Sequence, residues 1–179
     1  MSFDDLISDI IATVIGGSIL ALLFFWIREK FFPYPNIVGH WYFETHTTKA
    51  SYQPYEGRVL RYMAILWREG NRVQGTIEKI HETSSNGEKE YIGKDRTRGV
   101  VEGCLEQNYF TKDRLFLHVV EDGPRRESIN FYEIMIKADH NMDGTFTSTI
   151  ADQDGTTIWQ RAKFYKFSKD HQGRKTAGR

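Results

Sequence analysis

The chain has 179 residues, room for one ordinary domain plus a short additional segment. Lysine plus arginine and aspartate plus glutamate both total 24, so net charge points to neither a nucleic-acid polymer nor an acidic substrate. The 9 tyrosines and 12 phenylalanines favour sheet over disorder, and the single cysteine, Cys104, excludes an internal disulfide framework and suits a reducing compartment.

The first element is an uncharged run of 18 residues, Ile10 to Ile27. As a helix it covers about 27 Å, close to the roughly 30 Å of hydrocarbon in a bilayer. Phe24, Phe25 and Trp26 near its end, then Phe31, Phe32 and Tyr34, suit an interfacial aromatic belt. No face of the run is polar, which argues against a buried soluble helix. No basic residue precedes it, and Arg28-Glu29-Lys30 follows it where a cleaved signal peptide needs small residues. Asp4, Asp5 and Asp9 lie before the run, and Arg28 and Lys30 after it. Positive-inside counting therefore predicts a single-pass protein whose C-terminal domain is cytoplasmic. Thr13, Gly17 and Ala21, four apart, form a stripe along which helices approach closely in lipid. Residues 1–32 thus read as a membrane-spanning helix with its flanks.

Residues 33–38 form a neck, because Pro33-Tyr34-Pro35 cannot extend a helix. From 39 to 167 the sequence alternates in eight strand-like runs, about 39–47, 58–68, 72–81, 98–107, 114–121, 128–138, 145–151 and 157–167. Turn-rich separators divide them, among them Glu69-Gly70-Asn71, Asp122-Gly123-Pro124, Asn141-Met142-Asp143-Gly144 and Asp152-Gln153-Asp154-Gly155. The expected domain is all-β, an eight-stranded up-and-down lipocalin-like β-barrel, with a sandwich as the less suitable alternative. The long connections, Thr48 to Gly57 and Glu82 to Thr97, follow strands one and three and fall at one end, which becomes an open mouth. The neck enters at the other, tightly closed end. Residues 168–179 are expected to be a disordered basic tail.

Strand ends at the mouth carry Arg61, Tyr62, Arg98, Asn130, Tyr132 and Trp159, with Thr45, Thr47, Arg58, Lys79 and Ser148 beside them. The segment from Lys49 to Tyr55 suits an aromatic lid, and Lys89, Lys94 and Arg96 lie in the second long loop. Aromatic faces that stack on bases, together with cations that pair with phosphates, are what a nucleotide ligand requires. Consecutive strand residues face opposite ways, so only one of Arg61 and Tyr62 can line the cup; both flanking faces are apolar and leave the choice open.

Asp139 to Gly144 matches the first half of an EF-hand loop, but the twelfth position would be Ile150 instead of a bidentate glutamate, so it reads as a hairpin turn. His40 and His46 share one face of the first strand, the outward one if Trp41 points in, and no metal site is expected. Neither a phosphate-binding loop nor a nucleophile elbow occurs, and no catalytic constellation arises, so an enzyme is not expected and no cofactor is implied.

Gly39-x-Trp41 opening the first strand, eight meandering strands and Arg161 in the last run resemble the lipocalin-type barrel. In that fold the tryptophan plugs the closed end and a late arginine packs across it, which implies a structural plug of Trp41 and Arg161. A membrane segment followed by such a barrel resembles the cyclic-nucleotide-gated membrane effectors of bacterial CBASS anti-phage defence, the SMODS-associating two-transmembrane β-strand-rich family. The resemblance covers nearly the whole chain as architecture. It implies that the barrel binds a cyclic oligonucleotide from a partner synthase, that binding drives homo-oligomerisation, and that the membrane segments then disrupt the inner membrane. One span stands here where the family name implies two, so several helices would have to assemble. A membrane-tethered carrier of a small hydrophobic ligand is the alternative; its mouth would be apolar instead of basic.

Overall fold

An apolar helix and an antiparallel sheet organise the computed structural model, which describes residues 3–123 and 126–164. They belong to two compact units that divide between Pro35 and Asn36. The expected tail, 168–179, lies outside the described residues.

Helix α1 spans Phe3–Phe31. Its stretch Ile7–Phe31, 25 residues, is long and apolar enough to cross a membrane, measuring about 37 Å. Ile10, Ile15, Leu22, Phe24 and Trp26 are all more than half exposed, so every side of the helix is apolar and uncovered within the chain. Two of its hydroxyls bond within the helix: Thr13 Oγ1 donates to the Asp9 carbonyl and Ser18 Oγ to the Val14 carbonyl, both at 2.8 Å. Thr13, Gly17 and Ala21 share a face by their spacing, and a Cβ built on Gly17 would meet nothing within 4 Å.

The sheet consists of β1 (Gly39–Lys49), β2 (Val59–Glu69), β3 (Arg72–Ser84), β4 (Gly87–Glu90), β5 (Arg98–Glu106), β6 (Arg114–Asp122), β7 (Glu127–Ala138), β8 (Asn141–Ser148) and β9 (Gln153–Gln160). Eight strands run β2-β1-β9-β8-β7-β6-β5-β3, and pairing of β2 with β3 closes the ring, while β4 hangs on β3 as an added hairpin strand. Every pairing is antiparallel. The domain is therefore an eight-stranded closed up-and-down β-barrel with one extra strand.

Three expectations about strand limits need correction. The last two runs, expected at 145–151 and 157–167, begin four residues earlier as β8 and β9. Asp143-Gly144 and Asp154-Gly155 look like turns but lie inside strands, because there the neighbouring backbone passes too close for a side chain. A Cβ on Gly144 would overlap the Glu133 carbonyl, and one on Gly155 the His46 carbonyl. The true turns are Asp139-His140 and 149–152, the latter carried by Ala151 and Asp152 at φ 55° and 41°. The third correction is β4, hidden in the expected loop 82–97, where Ser85-Asn86 joins Ser84 to Gly87 and Gly87 takes φ 115°.

Alternation sends Trp41 and Phe43 of β1, Leu66 of β2, Leu115 of β6, Ile134 of β7 and Trp159 of β9 into the barrel, each at most 1% exposed. Phe43 stacks on Trp159 at 3.8 Å and on Tyr62 at 4.8 Å between ring centroids. The closed end is sealed by the residues that lead into β1 from Asn36 on. Ile37 is buried, and Trp41 Nε1 donates to its carbonyl at 2.8 Å, so residues 36–38 belong to the barrel instead of a free neck. Arg161, one residue beyond β9 and not within it, lies 3.9 Å over the Trp41 ring. Its guanidinium donates to the carbonyls of Asn36 and Val38 at 2.8 Å, His40 at 3.0 Å and Asp139 at 3.2 Å.

Trp41→Ala empties a fully buried site and is expected to cost roughly 3–5 kcal/mol in denaturant unfolding of the detergent-solubilised chain followed by near-ultraviolet circular dichroism. A loss below about 1 kcal/mol would show that Trp41 does not fill the closed end.

Candidate functional site

The open end of the barrel holds a cavity of about 1190 Å³. Its base is aromatic. Tyr62, Tyr132 and Phe146 line it, with Tyr132 stacked on Phe146 at 5.9 Å and edge-on to Phe43 at 5.8 Å. Its walls are polar, from Thr45, Ser128, Asn130, Ser148 and Gln153, all buried and inward-facing on their strands. Six cations line it, Arg58, Lys79, Lys89, Lys94, Arg96 and Arg126, against three carboxylates, Asp95, Glu121 and Asp122.

The charged groups fall into two tiers. In the inner tier the Lys79 ammonium pairs with Glu121 Oε1, and Tyr62 Oη donates to Glu121 Oε2 at 3.1 Å. Burial and the Glu121 carboxylate together push the Tyr62 hydroxyl well above its ordinary pKa, and burial with the same carboxylate raises Tyr132. The outer tier is built on the β3–β4 hairpin and the segment after it. Arg58 Nη2 meets Glu82 Oε1 at 2.8 Å and stands 5.0 Å from the Tyr55 ring, while Tyr91 Oη donates to Glu82 Oε2 at 2.6 Å. Burial alone would raise the Glu82 pKa, but hydrogen bonds from Arg58 and Tyr91 outweigh it and hold it below the usual value. Arg96 bonds Glu78 at 2.9 Å and the Tyr91 carbonyl at 3.2 Å, and Lys89 sits 4.8 Å over the Tyr91 ring. Lys89, Lys94 and Arg126 make no ion pair with any described residue.

Of the six residues expected to contact ligand, Tyr62, Asn130 and Tyr132 line this cavity and Arg61, Arg98 and Trp159 do not. The open choice on β2 falls to Tyr62, which is 2% exposed and shares its inward face with Ala64 and Leu66. Arg61 points outward to Glu44, 3.1 Å away across β1. Burial raises the Glu44 pKa, yet bonds to His46 and Arg61 bring it below the ordinary value. Arg98 stands on the outer face of β5, paired with Glu78 at 3.3 Å, because Gly99 takes the inward position beside it. Trp159 faces inward but lies below the cavity, fully buried against Phe43. Tyr55 of the expected aromatic lid lines the cavity, while Tyr52 is exposed and packs on it at 5.6 Å.

Sequence reasoning passed over Glu121, Arg126, Phe146 and Tyr91. Glu121 follows Leu115, Leu117 and Val119 in the inward register of β6, and that period was the signal for its burial. Among the described residues no three His, Cys, Asp or Glu gather in a way that could hold a metal ion. No family model matches the chain, and no curated protein matches it. A solved structure similar to it is a de novo designed fluorescence-activating β-barrel, with 11% identity and a TM-score of 0.48 over 71% of this chain and 94% of that one.

Burial, then the bond to Glu82, raises Tyr91 from 10.0 to about 12. A group whose folded pKa is raised contributes stability that is full below its unfolded pKa and is lost as pH rises through the folded value. The contribution of Tyr91 is therefore expected to hold below pH 10 and fade as pH approaches about 12. In an alkaline titration followed by tyrosinate absorbance, Tyr91→Phe should remove one late-ionising tyrosine; an unchanged curve would place the Tyr91 hydroxyl away from Glu82.

Proposed function

We propose that the barrel is the sensor of a bacterial anti-phage effector and binds a cyclic oligonucleotide supplied by a partner synthase. In this reading α1 anchors the chain in the inner membrane with the barrel in the cytoplasm, and ligand binding drives assembly of the helices, which disrupts the bilayer. The observation that supports it is the composition of the cavity. Aromatic rings at its base suit bases, the cations Lys89, Lys94 and Arg126, which make no ion pair with a described residue, suit phosphates, and the walls between them are polar. At about 1190 Å³ the space exceeds the roughly 300–1,000 Å³ of common small-ligand pockets, as a ligand with two or three nucleotides requires. The same polar walls count against a carrier of hydrophobic ligands. The helix supports the second half of the reading, since a wholly apolar, uncovered surface demands lipid or other copies of itself.

Calorimetry of the full chain in lipid nanodiscs against cyclic dinucleotides and trinucleotides tests the binding. Lys94→Ala and Arg126→Ala are each expected to weaken it about tenfold by removing a charge-assisted phosphate contact, whereas Arg61→Ala, on the outer face, leaves it nearly intact. Failure of the whole panel, with uptake of a fatty acid instead, would move the protein to the carrier class. Gly17→Leu keeps α1 apolar but blocks close approach along Thr13, Gly17 and Ala21. Membrane localisation should survive this change while crosslinked oligomers and toxicity on induction fall; unchanged toxicity would place assembly on another surface.

A further inference from the structure

Of the three carboxylates that line the cavity, Glu121 alone is buried, and a purely anionic ligand would meet its charge where little solvent screens it. Glu121, near the end of β6, is 4% exposed and lines a space where cations outnumber carboxylates. Lys79 holds its Oε1 and Tyr62 Oη holds its Oε2. An ionised carboxylate accepts at about four lone-pair sites, so these two donors leave about two unfilled. A phosphate brought against Glu121 would meet a like charge. The cations that make no ion pair with a described residue lie off β6: Lys89 on β4, Lys94 in the short turn Gly93–Asp95, and Arg126 in the connection between β6 and β7.

We infer that Glu121 is the specificity-determining residue of the cavity and accepts paired N–H donors from the edge of a guanine base. The inference rests on the nucleotide reading of the site and specifies which nucleotide it takes. Guanine offers N1–H and the 2-amino group side by side, a spacing that meets both oxygens of one carboxylate. Adenine and cytosine set an amino group beside a ring nitrogen acceptor, which would face the second oxygen lone pair to lone pair. Uracil offers one N–H between two carbonyls. A buried carboxylate discriminates strongly here, because any base that fails to donate leaves it under-satisfied where water is excluded. Tyr132 and Phe146, stacked at the base of the cavity, supply the apolar surface against which the ring lies. Lys79 and Tyr62 keep the carboxylate fixed, so its free lone pairs are presented in one direction.

The test uses the full chain in nanodiscs and four probes: cyclic di-GMP, cyclic di-IMP, cyclic di-AMP and cyclic di-UMP. Hypoxanthine keeps N1–H and lacks the 2-amino group, so comparing the first two probes isolates one donor without altering the protein. Cyclic di-GMP is expected to bind at least tenfold tighter than cyclic di-IMP, with cyclic di-AMP and cyclic di-UMP weaker still. In Glu121→Gln, shown folded by an unchanged melting transition without ligand, the preference should shrink to within about threefold. Arg126→Ala should weaken all probes by one common factor. Equal affinity of the unaltered chain for cyclic di-GMP and cyclic di-IMP, or a preference retained in folded Glu121→Gln, overturns the role of Glu121 and leaves the nucleotide sensor standing. No binding of any probe overturns both.

Discussion

The barrel depends on the packing of the Arg161 guanidinium on Trp41. A closed sheet leaves a tunnel, and a tunnel becomes a cup only if one end is filled. Trp41 fills it, and Arg161 lies 3.9 Å above the ring with donors to four carbonyls. Those carbonyls come from the entering chain, the first strand and the β7–β8 turn, so one side chain joins the start of the barrel to its end. Each donor is charge-assisted, a class of bond worth roughly twice a neutral one. The arrangement also explains why Ile37 is buried although it precedes the first strand: its carbonyl is the partner of the Trp41 indole.

With one end sealed, the interior separates into an apolar lower half and a polar upper half. Below, Phe43 stacks between Trp159 and Tyr62. Above, the Lys79 ammonium pairs with Glu121, a carboxylate 4% exposed, and Tyr62 Oη donates to its other oxygen. Tyr62 belongs to both halves, its ring in the stack and its hydroxyl on Glu121. The aromatic base and the buried carboxylate are therefore coupled. Further out, the Arg58–Glu82–Tyr91 cluster fixes the hairpin strand β4 at the rim.

The helix follows a different rule from the barrel. Every barrel strand has a buried face and an outer one, whereas the span of α1 is apolar all round and turns the Thr13 and Ser18 hydroxyls back onto its own backbone. Such a surface makes membrane insertion the physical expectation and leaves the choice of neighbours to side-chain size. Gly17 and Ala21 keep one face low, which in lipid matters more than hydrophobicity, since hydrocarbon is as apolar as leucine.

Periodicity and composition alone determined the helix, the number of barrel strands and the location of the mouth, because those follow from local alternation, run length and connection length. The cations Lys89 and Lys94 at the rim were legible for the same reason, whereas the burial of Trp41 opposite an exposed His40 was an expectation of the lipocalin resemblance. The remainder depended on which strand lies beside which. Gly144 and Gly155 read as turn residues, and only the passage of the Glu133 and His46 carbonyls shows that they are close-approach sites within strands. Arg61 and Tyr62 sit on equally apolar faces, and closure of β2 against β3 decided that Tyr62 points inward. Glu121 reads as an ordinary strand-end carboxylate until Lys79 and Tyr62, 42 and 59 residues earlier, are brought against it. Local physics sets how each segment alternates; which faces meet, and so which charges are buried together, is settled only when the ring closes.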